Sequence, residues 1–238
     1  MTTILPLIAR VMPPATAPGF TVIWFVVVLA AALLALVIWG RLRDLTYLHY
    51  AAYLGGMGLM SLNNQVLAGW WVEHIGEVPF VCLNNFLHLP YAVFYLLFVM
   101  HYFKVAAQWP RWAHFHRGLL AGYAVALLWW VTDCLMGGPQ GSPWVIMCCN
   151  VVNLLSSLVL AGLATYAGKP GAREFLYACL PLTMSGLVLV AQFLAGAGPG
   201  GEPGLAAFRT GFILHVMVFL LALSVRDRGL RQALPWQS

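Results

Sequence analysis

The chain has 238 residues, of which 62% are hydrophobic and only 8% are charged. A soluble domain carries roughly 25% charged residues, so this composition leaves too little polar surface to cover a water-soluble globule. The formal charge of +5 comes from basic residues scattered singly between apolar runs, and this pattern predicts no nucleic-acid partner. The composition therefore indicates a protein embedded in a lipid bilayer.

Seven apolar stretches follow one another along the chain, each long enough to cross about 30 Å of hydrocarbon as a helix. Gly- and Pro-rich segments, which stop helices, separate several of them. We predict an all-α, polytopic membrane protein built as a seven-transmembrane helix bundle. A short extracytoplasmic segment (1–18) precedes the membrane domain (19–226), and a short cytoplasmic tail (227–238) follows it. The predicted spans are residues 19–40, 47–70, 80–103, 118–136, 145–167, 174–196 and 206–226.

The basic residues predict the orientation of these spans. Ten of the twelve Lys and Arg residues lie in the loops that follow spans one, three, five and seven, and the other two are Arg10 and Arg209. The positive-inside rule then places the N-terminus outside and the C-terminus in the cytoplasm. An odd number of spans also predicts that the two ends lie on opposite sides of the membrane.

In this orientation the polar side chains of six spans fall at about the same depth, in the outer half of the membrane. Amides and charges in hydrocarbon are costly unless they are paired or hydrated. Asn84 and His88 are four residues apart and so share one helix face. We expect such faces to line one polar cavity open to the outside. The candidate ligand-binding residues are Asn63, Asn64, Gln65, Asn84, Asn85, His88, Asp133, Asn150, Asn153, Gln192, Arg209 and His215.

A structural interpretation competes with the pocket. Asn and Gln often join transmembrane helices, at about 0.6 kcal/mol per contact, and for any single residue this role is the more frequent one. Asp133 and Arg209 could pair across the outer surface or simply be solvated. Gly55 and Gly56 would allow close helix approach. The inner halves are predicted to be far more apolar.

The cysteines and histidines show no spacing typical of a metal site. We interpret all five cysteines as small apolar residues within helices. A disulfide from Cys134 to Cys148 or Cys149 is the minor alternative, if that end faces an oxidising compartment. The chain lacks paired intramembrane carboxylates, HExxH and a P-loop, so we expect no enzyme, no catalytic residue, and no metal or cofactor. The cysteines are Cys82, Cys134, Cys148, Cys149 and Cys179.

Three segments resemble the bacterial seven-transmembrane receptors with diverse intracellular signalling modules. The stretch "RLRDLTYLHYAAYLGGMGLMSLNNQVLAGWW" resembles the start of that family, in which a short charged loop with an Arg-Asp step ends span one and a Tyr-Leu-x-Tyr run opens span two. Here these are Arg43-Asp44 and Tyr47-Leu48-His49-Tyr50. "GKPGAREFLYACLPLTMSGLVLVAQFLAGAG" resembles the basic loop and the sixth span. "GFILHVMVFLLALSVRDRGLRQ" resembles the last helix, and the resemblance covers Gly19 to Gln232.

The resemblance implies a sensory module in the bacterial cytoplasmic (inner) membrane. An external small molecule, whose identity the sequence does not give, would bind in the outer half and shift the last span. The expected partners are the lipid bilayer, a cytoplasmic signalling partner or output domain, and a second copy in a homodimer.

Two further functions stay open. One is a transporter or channel for a small polar solute, which needs a polar path through the inner half as well. The other is a haem-carrying subunit that uses His88 and His215, although the sequence shows no histidine pair on two helices.

Overall fold

The computed structural model describes residues 18–63, 67–137, 141–194 and 202–233, and these are almost entirely helical. The predicted all-α class is confirmed. In chain order the described helices are α1 (Pro18–Leu42), α2 (Leu45–Leu62), α3 (Ala68–Ile75), α4 (Glu77–Tyr102), α5 (Val105–Gln108), α6 (Pro110–Leu135), α7 (Ser142–Tyr166), α8 (Ala172–Leu194) and α9 (Glu202–Ala233).

Five of these helices are long and apolar enough to cross a membrane. They correspond to predicted spans one, three, four, five and seven. Predicted span two coincides with α2 and the start of α3, and predicted span six coincides with α8. The total of seven spans stays a prediction. The five spanning segments are Val22–Leu42, Glu77–Tyr102, Pro110–Leu135, Ser142–Tyr166 and Phe208–Arg228.

We predicted a loop between spans three and four, from residue 104 to residue 117. This prediction is wrong, because most of these residues are helical. α5 covers Val105–Gln108, and α6 begins at Pro110 rather than at residue 118. Proline is favoured at the first position of a helix, where its missing N–H costs nothing. Hydropathy marks the point at which a helix leaves hydrocarbon, whereas the helix itself can continue past that point.

The connection between α1 and α2 explains the Arg43-Asp44 step in physical terms. Arg43 has a positive φ of 54°, which turns the chain sharply after α1. The Asp44 carboxylate then accepts a hydrogen bond of 2.8 Å from the backbone N–H of Thr46. An Asp at this position satisfies one of the N–H groups that a helix start leaves without a partner.

The helices form two compact units. One comprises Leu29–Ser156, and the other combines Met1–Val28 with Ser157–Ser238. In the first unit α2 packs against α4 and α4 against α6, and in the second unit α8 packs against α9. The core of the first unit is the apolar cluster Leu89, Ala92, Leu96, Leu119, Tyr123, Ala126 and Ile146.

The apolar residues of α1 are distributed as expected for a helix that faces lipid. Its large side chains are exposed, Val26 to 60% and Leu29 to 61%, whereas Ala31 and Ala35 are buried. In water this arrangement would expose the apolar residues that normally form a core. In a bilayer it is favourable, because lipid solvates large apolar side chains and small residues permit close helix packing.

Gly56 fixes the distance between α2 and α4. A Cβ atom at position 56 would lie 2.8 Å from the Cβ and 3.2 Å from the Cα of Tyr91. Aromatic rings continue this contact along the two helices, with Tyr53 and Tyr95 at 5.1 Å between ring centroids and Tyr50 and Phe98 at 5.0 Å. These pairs run in opposite sequence directions, so α2 and α4 are antiparallel.

Replacing Gly56 by Ala should therefore force α2 away from α4. We expect a loss of roughly 1–3 kcal/mol, as for other overpacked contacts. Gly55→Ala is the matched control, because nothing lies within 4 Å of a Cβ at that position and both substitutions change helix propensity equally. Thermal denaturation of the detergent-purified protein measures both. Equal melting temperatures for the two variants would contradict the close approach.

Candidate functional site

A buried polar network joins three helices of the first unit. Asn153 on α7 donates to the Ala92 carbonyl of α4 at 3.1 Å and to the Tyr123 hydroxyl of α6 at 3.3 Å. Tyr123 in turn donates to the Asn150 side-chain oxygen at 2.8 Å. Donors and acceptors follow one another in a chain, and such chains strengthen their members. The structure thus brings Asn150 and Asn153 together, and much of their hydrogen-bonding capacity is used in joining helices.

Two other predicted amides are placed differently. The side-chain oxygen of Asn84 on α4 is buried, and so is the side-chain nitrogen of Asn63, which caps α2. Neither atom has a hydrogen-bond partner among the described residues. Leaving a polar atom buried in this way costs about 1–3 kcal/mol. These two atoms are therefore the strongest candidates for contact with a ligand.

His88 makes a local contact on α4. Its Nδ1 lies 3.2 Å from the Tyr91 hydroxyl, three residues further along the helix. Asn85 is half-buried in the same helix. Tyr91 is the residue that Gly56 faces, so His88 belongs to the contact between α2 and α4.

Asp133 serves the connection from α6 to α7. One of its carboxylate oxygens accepts from the backbone N–H groups of Gly141 at 2.9 Å and of Ser142 at 2.8 Å. A carboxylate at this position satisfies donors at a helix start and suits the positive end of the helix dipole. Asp133 therefore has a structural role at the connection between α6 and α7.

A disulfide between Cys82 and Cys134 joins the start of α4 to the end of α6. Our interpretation of these two cysteines as apolar fillers is wrong, and so is the alternative pairing of Cys134 with Cys148 or Cys149. The partners lie 52 residues apart in sequence, and packing of α4 on α6 brings their Cα atoms to 6.0 Å. The Trp130 indole reinforces this junction by donating to the Cys82 carbonyl at 2.8 Å.

His215 lies at the contact between α8 and α9 in the second unit. It is fully buried, and its Nδ1 donates to the Ala178 carbonyl of α8 at 2.9 Å. Pro181 lies inside α8 and lacks an N–H, so the helical ladder is interrupted in this turn. The carbonyl that loses its helical donor to Pro181 is that of Tyr177, four residues earlier, and His215 bonds to the neighbouring carbonyl of Ala178 in the same turn.

Gly211 makes this contact possible. A Cβ at position 211 would lie 2.6 Å from the Ser185 hydroxyl oxygen and 2.7 Å from the Pro181 carbonyl oxygen. Ser185 itself donates to the Leu182 carbonyl at 3.0 Å. Ser185 and His215 thus both bond to backbone carbonyls of α8.

The remaining predicted residues are Arg209, Asn64, Gln65 and Gln192. Arg209 is buried on α9, with 5% of its surface exposed. Asn64 and Gln65 lie outside the described residues. Gln192 belongs to the helical backbone of α8, and its side chain lies outside the described part.

Sequence reasoning missed a histidine pair. His49 on α2 and His101 on α4 lie with their ring centroids 4.6 Å apart. Our statement that no such pair exists on two helices is therefore wrong. The two residues are 52 positions apart in sequence, and they meet only because α2 and α4 are antiparallel. Both lie in the half predicted to be apolar.

Tyr123 was also missed, although the sequence carries a signal for it. A tyrosine in the middle of an apolar helix must find a partner for its hydroxyl. Its two partners, Asn150 and Asn153, are themselves polar residues in an apolar helix. Pairing such residues between spans would have predicted this network.

The junction of α8 and α9 predicts the stability that is lost when the His215 contact is removed. His215→Phe should destabilise the protein by about 1–2 kcal/mol, because the Ala178 carbonyl loses a donor. Thermal denaturation of the detergent-purified protein measures this loss. His114→Phe is the control, because His114 is exposed and bonds within its own helix. Equal melting temperatures for the His215→Phe and His114→Phe variants would contradict this role of His215.

One of three comparisons with known proteins gave a match. The family model described as 7TM diverse intracellular signalling matches residues 19–226 of the chain. Comparisons with curated proteins and with solved structures gave no match. The match covers most of the chain, and its limits coincide with the predicted membrane domain. The chain is a membrane protein and belongs to the 7TM diverse intracellular signalling family.

Proposed function

We propose that the protein is a membrane sensor that binds an external small molecule and transmits a helix shift to a cytoplasmic partner or output domain. The observation that carries this proposal is the length of α9. The helix runs through 32 residues, from Glu202 to Ala233. At 1.5 Å per residue it is about 48 Å long, well beyond the roughly 30 Å of hydrocarbon. One continuous helix thus connects the predicted outer half to the predicted cytoplasmic side.

The proposed orientation has the N-terminus outside and seven spans in the bacterial cytoplasmic membrane. Two independent features support it. The basic residues collect on one side, as the positive-inside rule requires. The Cys82–Cys134 disulfide lies at the opposite ends of α4 and α6 from Lys104 and Arg111. Disulfides persist in oxidising compartments such as the periplasm.

The ligand we infer is small and carries both a hydrogen-bond donor and an acceptor. The buried oxygen of Asn84 needs a donor, and the buried nitrogen of Asn63 needs an acceptor. Both residues lie at the same end of the antiparallel pair formed by α2 and α4. A ligand that supplies both groups would offset two desolvation costs in one binding event.

Transmission requires no chemical step at the site. A ligand shifts an equilibrium when it binds one of two helix arrangements more tightly than the other. The junction of Pro181, Gly211 and His215 is a suitable place for two arrangements. It combines an interrupted helix with a close approach that tolerates no added Cβ atom.

A ligand screen on the detergent-purified full chain tests the proposal. Amino acids, monosaccharides and nucleosides would be added at millimolar concentration, and melting temperatures measured. A compound at 100 times its Kd stabilises the folded state by about 2.7 kcal/mol. We expect at least one class to raise the melting temperature of the wild type. Asn84→Leu should remove most of this increase, because the buried acceptor is lost.

The control variant is Ser224→Ala. Ser224 lies on α9 toward its predicted cytoplasmic end, and its hydroxyl donates to the Leu221 carbonyl. It should respond to the compound as the wild type does. If no compound stabilises the wild type, or if Asn84→Leu responds fully, the outer amides are helix contacts and the pocket does not exist.

A further inference from the structure

We propose that His49 and His101 form a binding site for a transition-metal dication such as Zn²⁺. The site lies where α2 begins and α4 ends, at the end of the pair opposite to Asn63 and Asn84. The two imidazole rings approach to 4.6 Å between centroids with an angle of 36° between their planes. Both side chains are half-buried.

The hydrogen bonding of His101 prepares its ring for a metal. Its Nδ1 lies 2.8 Å from the Leu97 carbonyl oxygen, which can only accept, so Nδ1 carries the proton. In the neutral ring Nε2 then presents its lone pair. Histidines that bind metals almost always donate their other N–H in this way, often to a backbone carbonyl.

The distance between the rings fits shared coordination. Zn–N bonds are about 2.0–2.1 Å long, and a ring centre lies roughly 1.1 Å behind its nitrogen. For N–Zn–N angles of about 90–109°, two ring centres bound to one zinc are therefore about 4.5–5.2 Å apart. The observed 4.6 Å falls within this range.

The donor set determines which ions fit. Imidazole suits Zn²⁺, Ni²⁺ and Cu²⁺, whereas Mg²⁺ and Ca²⁺ require oxygen ligands. No group of three His, Cys, Asp or Glu side chains with metal-binding geometry occurs among the described residues. A bound ion would therefore have two histidine ligands, and water would fill its other positions. Because its ligands come from two helices, a bound ion would clamp α2 to α4.

Zinc binding to the full chain, purified without a polyhistidine tag, tests the site. Isothermal titration calorimetry should show one Zn²⁺ per chain, and Mg²⁺ should give no binding. His49→Ala and His101→Ala should each weaken binding by at least the roughly 10- to 100-fold that loss of an outer-shell partner costs. His114→Ala is the control, since His114 is exposed and bonds to the Pro110 carbonyl of its own helix. Wild-type affinity in either His49→Ala or His101→Ala would overturn the proposal.

A second measurement uses the wild type alone and so does not depend on how the variants fold. Diethyl pyrocarbonate modifies accessible imidazoles, and mass spectrometry maps the modified residues. Zn²⁺ should protect His49 and His101 and leave His114 reactive. Equal modification of His49 and His101 with and without Zn²⁺ would show that the rings only pack against each other.

Discussion

The structure depends on one constraint: a polar group placed in hydrocarbon must find its partner within the protein. Asn153, Tyr123 and Asn150 meet this constraint together and thereby hold α4, α6 and α7 in register. His215 meets it at the interrupted turn of α8. Apolar burial gives helices little reason to associate in lipid, so these few polar contacts have a large share in specifying which helices are neighbours.

Small residues set how closely those helices approach. Tyr91 packs directly against the backbone of α2 at Gly56, and the Pro181 carbonyl packs directly against the backbone of α9 at Gly211. Each glycine lies beside a polar contact, His88 with Tyr91 in one case and His215 with Ala178 in the other. Close approach and polar pairing therefore occur at the same places, where a small displacement alters both. That combination suits a protein whose proposed task is to shift between two helix arrangements.

The positions of the helices could be predicted from hydropathy, because each apolar stretch must be long enough to cross the bilayer. The pairing of Asn153 with Tyr123 could also have been predicted, since both are polar residues in apolar helices. The Cys82–Cys134 disulfide and the His49–His101 pair were not, because each joins residues 52 positions apart. Such contacts depend on the rotation of each helix about its axis and on which helices are adjacent, and one sequence alone determines neither.

The most direct test is the orientation on which sensing from outside depends. Intact cells expressing a chain without Cys148, Cys149 and Cys179 would be treated with a membrane-impermeant reductant and an impermeant maleimide. Cys82 and Cys134 should be labelled in these cells. In a second chain that also carries Arg228→Cys, where Arg228 is exposed near the end of α9, the new cysteine should react only after permeabilisation. Labelling of that cysteine in intact cells would place the end of α9 outside and contradict the proposed direction of signalling.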